Sequence, residues 1–326
     1  MVDEVHMARA RALATSVQGS TAPNPWVGSV VVTTEGQCFE GATAPPGGRH
    51  AEVAALAAAG TAAAGATLYS TLEPCAHTGR TGPCTDAIVA AGIARVVVGI
   101  VDPDPLVAGR GVAALEAAGI EVSVGLDGDE IADELAPYLK HRRTGRPWVV
   151  LKLAQTLDGR TAAPDGSSRW ITGDEARRDA HRLRARSDAL LVGAGTVRAD
   201  DPALTVRLDP PPDRQPLRVV LGSAPADARA RPALELEGEP AEVLDELGRR
   251  GVLQLLVEGG PRVAHDFHAA GVVDRYVFYV APALLGGDDG HPVLRGPGAP
   301  TMADVWRGRV VSVAQLGDDL RVEVAA

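Results

Sequence analysis

The sequence predicts an α/β protein built of two layered domains. Helical and strand patterns alternate along the whole chain, the arrangement that buries sheets under helices. The length, 326 residues, exceeds one ordinary domain. A basic, turn-rich stretch at 140–147 follows a helical pattern and precedes a fresh strand. The boundary therefore falls at about residue 145, with domains expected at 1–145 and 146–326.

Residues 5–17 have helical spacing. Residues 27–34 read as a strand, with 37–41 as a hairpin partner. An Ala-rich helix at 51–59 is followed by a strand at 66–71, a helix at 85–91, a strand at 95–101, a helix at 112–118 and a short strand at 121–124. Gly60, Gly65, Gly92 and Gly119 stand where helices stop. One last helix is expected over 130–142. The second domain opens on a strand at 148–155, then a charged helix at 174–185, a strand at 189–192 and a Pro-rich loop at 209–216. Strands follow at 217–221, 253–257 and 275–280, with a helix at 261–270 between the last two. The C-terminus alternates at 309–316 and 320–324. No repeat is visible, and the pattern-poor segments 210–212 and 224–240 are expected as surface loops.

Aromatic residues make up only 3%, so Val, Leu, Ile and Ala must pack both cores. The net charge of −10 argues against a nucleic-acid groove, which needs a basic face. It permits a phosphorylated small substrate, for which a few local arginines suffice. The first eleven residues include Asp3, Glu4, Arg9 and Arg11 and no apolar segment, so no secretory leader is expected. Apolar runs such as 96–101 are too short to span a bilayer. Three cysteines form no disulfide framework. The expectation is a cytoplasmic protein with neither nucleic-acid nor membrane partner.

The chemistry is concentrated in Arg49-His50-Ala51-Glu52, then Leu72-Glu73-Pro74-Cys75, then Pro83-Cys84. Zinc takes His nitrogen and Cys thiolate, and a catalytic site leaves one position for water. His50, Cys75 and Cys84 supply three ligands. Glu52, two residues past the His at a helix start, can reach over the metal without binding it. This is the order of the zinc-deaminase signature, with a longer gap between the cysteines. Cys84 opens a helix after Pro83, a setting that favours thiolate. Cys38 reads as a strand core residue, and His77 as shaping the loop between ligands or meeting substrate.

The chain further carries Met7-Ala8-Arg9-Ala10, Pro23-Asn24-Pro25, His77-Thr78-Gly79-Arg80-Thr81-Gly82, Asp102-Pro103-Asp104-Pro105 and Gly109-Arg110-Gly111. Its second half carries Leu151-Lys152-Leu153-Ala154, Leu157-Asp158-Gly159-Arg160-Thr161, Trp170-Ile171-Thr172, the run from Asp200 to Arg207 and Glu258-Gly259-Gly260-Pro261. In this order, over essentially the whole chain, they resemble the bifunctional riboflavin-biosynthesis deaminase-reductase family. The resemblance implies a cytidine-deaminase-like three-layer domain followed by a dihydrofolate-reductase-like domain. It implies hydrolysis, by zinc-activated water, of the 2-amino group of a diamino-pyrimidinone bearing a ribosylamino 5′-phosphate. NADPH would then reduce the ribose to a ribityl chain. One zinc per chain and NADPH are the implied cofactors, and a homo-oligomer the implied assembly.

By the same resemblance Glu52 is the proton shuttle and Asn24 a pyrimidine contact, which could equally be a Pro-Asn-Pro turn. Ser168, Arg184, Leu204, Arg207 and Glu258 would line the reductase substrate. Ala154, Trp170, Thr196, Asp200, Ser223, Gly260, Pro261, Arg262, Val263, Ala264, His265 and Asp266 would line the cofactor. Arg184 and Arg207 suit a phosphate, although Arg184 sits among Arg177, Arg178, Arg182 and Arg186 and could belong to a solvated helix face. Lys152 could point into the cleft or lie solvated at an edge. Gly193-Ala194-Gly195-Thr196 lacks the third glycine of a dinucleotide fingerprint. The chain departs from the family pattern at Trp26, Ser29, Thr43, His265 and Asp266, and is shortened at 224–240.

Three rival readings are a free nucleoside or base deaminase with a degenerate second domain, a nucleic-acid-editing deaminase, and a zinc-stabilised binding protein. The second-half motifs oppose the first, and the acidic charge and scarce aromatics the second. Glu52 beside an open metal position opposes the third.

Overall fold

The computed structural model describes residues 2–78 and 82–326. Gly79, Arg80 and Thr81 of the inter-cysteine motif lie outside the described residues. The chain divides into two compact units, Met1–Gly145 and Arg146–Ala326.

The first unit runs α1 (Val2–Ser16), β1 (Gly28–Val32), β2 (Cys38–Ala42), α2 (Ala51–Ala59), β3 (Thr67–Leu72), α3 (Cys84–Ala90), β4 (Arg95–Ile100), α4 (Arg110–Ala117), β5 (Glu121–Val124), α5 (Gly128–Glu134) and α6 (Ala136–Thr144). Its sheet has the order β2-β1-β3-β4-β5, antiparallel at β1 and parallel from β3 to β5. Strand alternation sends Val31, Leu68, Val96 and Val98 to one face, where Ala55, Leu56, Ile88 and Leu115 complete a core. A Cβ on Gly41 would meet the Ala51 carbonyl oxygen at 2.1 Å. Only glycine lets α2 lie that close to β2, and this sets the height of the helix start that carries His50 and Glu52. On the opposite face a Cβ on Gly28 would meet the Ala10 carbonyl oxygen at 1.9 Å, so α1 is held as closely. The result is three layers.

The second unit runs β6 (Trp148–Thr156), β7 (Arg160–Ala162), α7 (Asp174–Ala185), β8 (Ala189–Gly193), α8 (Ala194–Asp200), β9 (Leu217–Leu221), β10 (Leu234–Leu236), α9 (Pro240–Arg249), β11 (Gln254–Val257), α10 (Pro261–Ala269), β12 (Arg275–Ala281), β13 (His291–Pro292), β14 (Arg309–Leu316) and β15 (Asp319–Ala325). Eight strands form one sheet in the order β10-β9-β8-β11-β6-β12-β15-β14. The six from β10 to β12 are parallel, and the β14–β15 hairpin adds antiparallel to β12. The near-continuous apolar runs Leu190-Leu191-Val192 and Leu255-Leu256-Val257 fit strands covered on both faces. Val149, Leu151 and Leu153 join Val243, Leu247 and Phe267 on one side. Val150 and Tyr279 join Ala176, Val197 and Leu204 on the other.

Four expectations change. The helix expected over 130–142 is two helices, broken at Leu135. Pro137 has no N–H to give and its ring crowds the carbonyl four residues back. The expected surface loop 224–240 contains β10 and buries Ala224, Ala228 and Ala230. Short alanines fill core there without making a visible pattern. Helix α9 was not anticipated, yet it has Pro240 at its start, a Glu239 N–H donating to Glu242 at 3.1 Å, and buried Val243, Leu244 and Leu247. Cys38 is half-buried on an edge strand rather than in the core, with its sulfur 4.0 Å from His6 Nδ1.

Candidate active sites

His50 immediately precedes α2 in extended conformation, the helix-cap position, but its side chain makes no cap bond. The ring is left for other partners. Its Nδ1 lies 3.6 Å from Cys75 Sγ and 3.3 Å from Cys84 Sγ, and the two sulfurs are 3.5 Å apart. A tetrahedral zinc, with bonds of about 2.0–2.1 Å to nitrogen and about 2.3 Å to sulfur, needs edges of about 3.6 and about 3.8 Å. The three atoms fit that ion and leave its fourth position open. Among the described residues no other group of three such side chains converges. Cys75 sits just past β3, and Cys84 is the first residue of α3, fully buried. The Cys84 N–H points at Cys75 Sγ at 3.5 Å and the Thr85 N–H at the Cys75 carbonyl at 3.2 Å. The Cys84 thiol hydrogen bond and His50 lower the Cys75 thiol below its ordinary value, while the hydrogen bond to Cys75 and burial push Cys84 up. A bound cation would take the place of the proton between them.

Glu52, 4% exposed, stands one helical step further on, with Oε2 3.5 Å from Cys84 Sγ. Burial lifts its carboxyl to about 7. Glu52 opens onto a cavity of roughly 180 Å³, shared with Asn24, Thr43, His77, Asp102 and Tyr138. Asn24 is in a turn, its N–H on the Thr21 carbonyl at 2.9 Å, and its side chain lines the cavity. Thr43, 4% exposed, is spent on the backbone: its Oγ1 accepts the Val27 N–H at 3.1 Å.

The opposite wall comes from the 102–112 segment. Glu73, 3% exposed, accepts four backbone N–H groups: Asp102 at 3.2, Gly109 at 2.9, Gly111 at 2.8 and Val112 at 3.1 Å. In the sequence Glu73, Asp102 and Asp104 stand out only as parts of motifs, and Tyr138 and Arg142 carry no functional signal. Only the folded chain puts them on this cavity, because α6 (Ala136–Thr144) follows even Cys84 by more than 50 residues.

In the second unit, Arg184 Nε and Nη2 donate to Glu258 Oε1 and Oε2 at 2.6 and 3.0 Å, and Nη1 donates to the Thr205 carbonyl at 3.0 Å. Lys152 Nζ is 3.7 Å from Glu258. Arg184 and Lys152 are therefore on the interior side, not solvated. Burial works against the Glu258 charge, but Arg184 and Lys152 outweigh it and hold the carboxyl at about 2. Arg207 is exposed, and its N–H donates to His181 Nδ1 at 3.2 Å. Leu204 has φ +49° and buries its side chain in the core, so only its backbone faces outward.

Thr196 and Gly260 meet: the Gly260 N–H donates to Thr196 Oγ1 at 3.2 Å. Each belongs to a helix start, α8 and α10, following the parallel neighbours β8 and β11. A crevice beyond the carboxyl ends of parallel strands is where open α/β sheets take ligands. Ala154 lies on β6, on the face of Lys152. Ser168 is half-buried, and Trp170 is exposed under the Arg177 guanidinium at 4.6 Å. Asp200 is exposed and its carbonyl holds Arg169 at 2.8 Å. Ser223 is exposed beyond β9. Within 260–266, Pro261 and Arg262 lie in the first turn of α10, while His265 reaches the Pro297 carbonyl at 3.0 Å and stands 3.5 Å from Asp266. Ala264 points into the core, with Val263 packed against the same core.

Two family models match. Residues 1–100 match the cytidine and deoxycytidylate deaminase zinc-binding region, and residues 147–322 the RibD C-terminal domain. Riboflavin biosynthesis protein RibD of Mycobacterium tuberculosis (strain ATCC 25618 / H37Rv) is 44% identical over 95% of this chain and 93% of its own. That of Escherichia coli (strain K12) is 40% identical over 98% of both. The solved RibD of Acinetobacter baumannii superposes with a TM-score of 0.93 at 39% identity, covering 99% of this chain and 98% of that one. A Thermotoga maritima diaminohydroxyphosphoribosylaminopyrimidine deaminase/5-amino-6-(5-phosphoribosylamino)uracil reductase superposes at 0.88 with 34% identity and the same coverage.

Proposed function

The chain belongs to the RibD family of bifunctional riboflavin-biosynthesis deaminase-reductases, and from that membership we propose the substrate and the residue roles of each unit. The protein is a deaminase and a reductase, with zinc and NADPH as cofactors. The first unit hydrolyses the 2-amino group of 2,5-diamino-6-ribosylamino-4(3H)-pyrimidinone 5′-phosphate. The second reduces the ribose of the product, giving 5-amino-6-ribitylaminouracil 5′-phosphate.

The observation that carries the first step is the convergence of His50, Cys75 and Cys84 beside the buried carboxyl of Glu52. These three would hold one zinc per chain. When bound, zinc supplies a Lewis acid and lowers the pKa of water to about 7. Glu52 accepts the proton of the attacking water at its carboxylate, returns it to the ring nitrogen, and serves the departing ammonia. Asn24 holds the pyrimidine by its amide.

In the second unit, Arg207 offers its guanidinium to the substrate phosphate. Arg184 fixes Glu258, and with Ser168 and the backbone at Leu204 they frame the sugar. Thr196 and the turn at Gly260, with Ala154, Trp170, Asp200 and Ser223, flank the NADPH. The start of α10 favours its phosphates. His265, beside Asp266, ties α10 to the Pro297 carbonyl.

We read the assembly as a homo-oligomer. Strand β14 is a sheet edge exposed along its length, with Val310, Val311 and Val313 outward, the kind of edge a second copy covers. Among the described residues no helix is long and apolar enough to cross a membrane. Three free cysteines suit the cytoplasm. Mass spectrometry of products from the pyrimidine substrate, with and without NADPH, tests the reading. Deamination alone without NADPH and the ribityl product with it are expected; an unchanged substrate in both arms contradicts it.

A further inference from the structure

The walls of the deaminase cavity carry Glu52, Glu73, Asp102 and Asp104, and Arg142 is the one Arg or Lys among the described lining residues. A substrate bearing a phosphate dianion would be repelled by such a lining unless a fixed cation met it. Arg142 is held in position by Tyr138, the Pro23 carbonyl and Asp104. It lies four residues after Tyr138 on α6, so both reach the same wall. Its guanidinium stacks over the Tyr138 ring at 5.0 Å, and Nη2 donates to the Pro23 carbonyl at 2.9 Å, next to Asn24. The nearest acid, Asp104, stands 3.5 Å from Nε, beyond hydrogen-bond contact, and that buried Nε has no hydrogen-bond partner. The other carboxylate, Asp102, is engaged elsewhere: both its oxygens take the Tyr138 hydroxyl, at 3.1 and 3.0 Å, and Oδ1 also takes the Asp104 N–H at 2.9 Å.

We propose that Arg142 is a specificity-determining residue of the deaminase site, recognising the 5′-phosphate of its pyrimidine nucleotide substrate. This rests on the deaminase reading above. A guanidinium stacked on an aromatic ring and anchored at one end presents its remaining donors as a planar fork, the geometry that suits phosphate oxygens. Asp104 beside it holds the charge in place when the site is empty and yields to the stronger anion.

The test compares deamination of the phosphorylated substrate and its dephosphorylated form by wild type, Arg142→Met and Arg142→Lys. Wild type is expected to favour the phosphorylated form. Arg142→Met should erase most of that preference through KM, by on the order of 10-fold or more, the scale of a charge-assisted hydrogen bond. Its loss on the dephosphorylated form should be several-fold smaller, and Arg142→Lys should fall between. Binding of ribose 5-phosphate, followed by calorimetry on the zinc-loaded protein, should weaken in parallel in Arg142→Met. Equal loss on both substrates, or a retained phosphate preference, overturns the proposal and marks Arg142 as a structural tie. Wild type that deaminates neither form overturns the deaminase reading itself, a result the variants cannot mimic.

Discussion

Arg184 and Glu258 face each other as a fork, Nε to Oε1 at 2.6 Å and Nη2 to Oε2 at 3.0 Å, with both side chains largely withdrawn from solvent. Removing one partner strands the other's charge in low dielectric, while removing both can be nearly neutral. Arg184→Met should therefore lower stability by about 3 kcal/mol in urea unfolding of the full chain. The double variant Arg184→Met/Glu258→Met should recover much of that loss. Additive losses in the double variant would refute the pairing.

The same cluster sets an acid response. His181 is pushed down to about 4, by burial first and then by Arg184 and Arg207. The unfolded chain takes up that proton at its ordinary value, so stability falls as pH drops from 6.5 towards 4. Glu258, held at about 2 against 4.5, contributes stability that is full above 4.5 and lost as pH falls towards 2. Protection factors of peptides from 146–326, corrected for the intrinsic exchange rate at each pH, should fall in two stages on acidification. His181→Gln should flatten the first stage; an unchanged first stage would assign it elsewhere.

For the metal centre, about one zinc per chain is expected by metal analysis. Cys75→Ser and Cys84→Ser should lose metal and deamination together. Glu52→Gln should keep the metal while deamination falls on the order of 10²-fold or more. Protein that deaminates at full rate with no bound metal would remove the assignment.

Glu73 gathers four backbone N–H groups, and a Cβ on Gly111 would meet the Pro74 carbonyl at 1.9 Å, so the segment after β4 is seated directly on the metal-bearing turn. Each donor left unpaired costs about 1–3 kcal/mol. Glu73→Ala should lower the thermal midpoint more than Glu73→Gln, whose remaining oxygen still accepts. Equal midpoints for wild type and Glu73→Ala would show that water replaces the carboxylate.

The two activities should separate. Supplied with the deaminated intermediate directly, Glu52→Gln should still reduce it with NADPH. Arg207→Ala should weaken reduction by about 10-fold while deamination continues. Loss of reduction in well-folded Glu52→Gln would require a shared site.

The candidate metal centre was legible in the sequence because its proposed ligands are local. His50 and Glu52 share a helix start, Cys75 and Cys84 close one loop, and the residue types themselves name the ion. The alternation of apolar runs likewise determined most strands and helices. It failed where small alanines did the packing, at 224–240, and where Pro137 divided what periodicity joined. The partners of Arg184, Glu73, Tyr138 and Arg142 were decided by tertiary structure alone. Each depends on a partner distant in sequence: Glu258 lies 74 residues from Arg184, and Pro23 lies 119 from Arg142. A charged side chain looks the same in sequence whether it meets water or a buried acid, and only the packing of α6 and α7 against their sheets' far segments determines which.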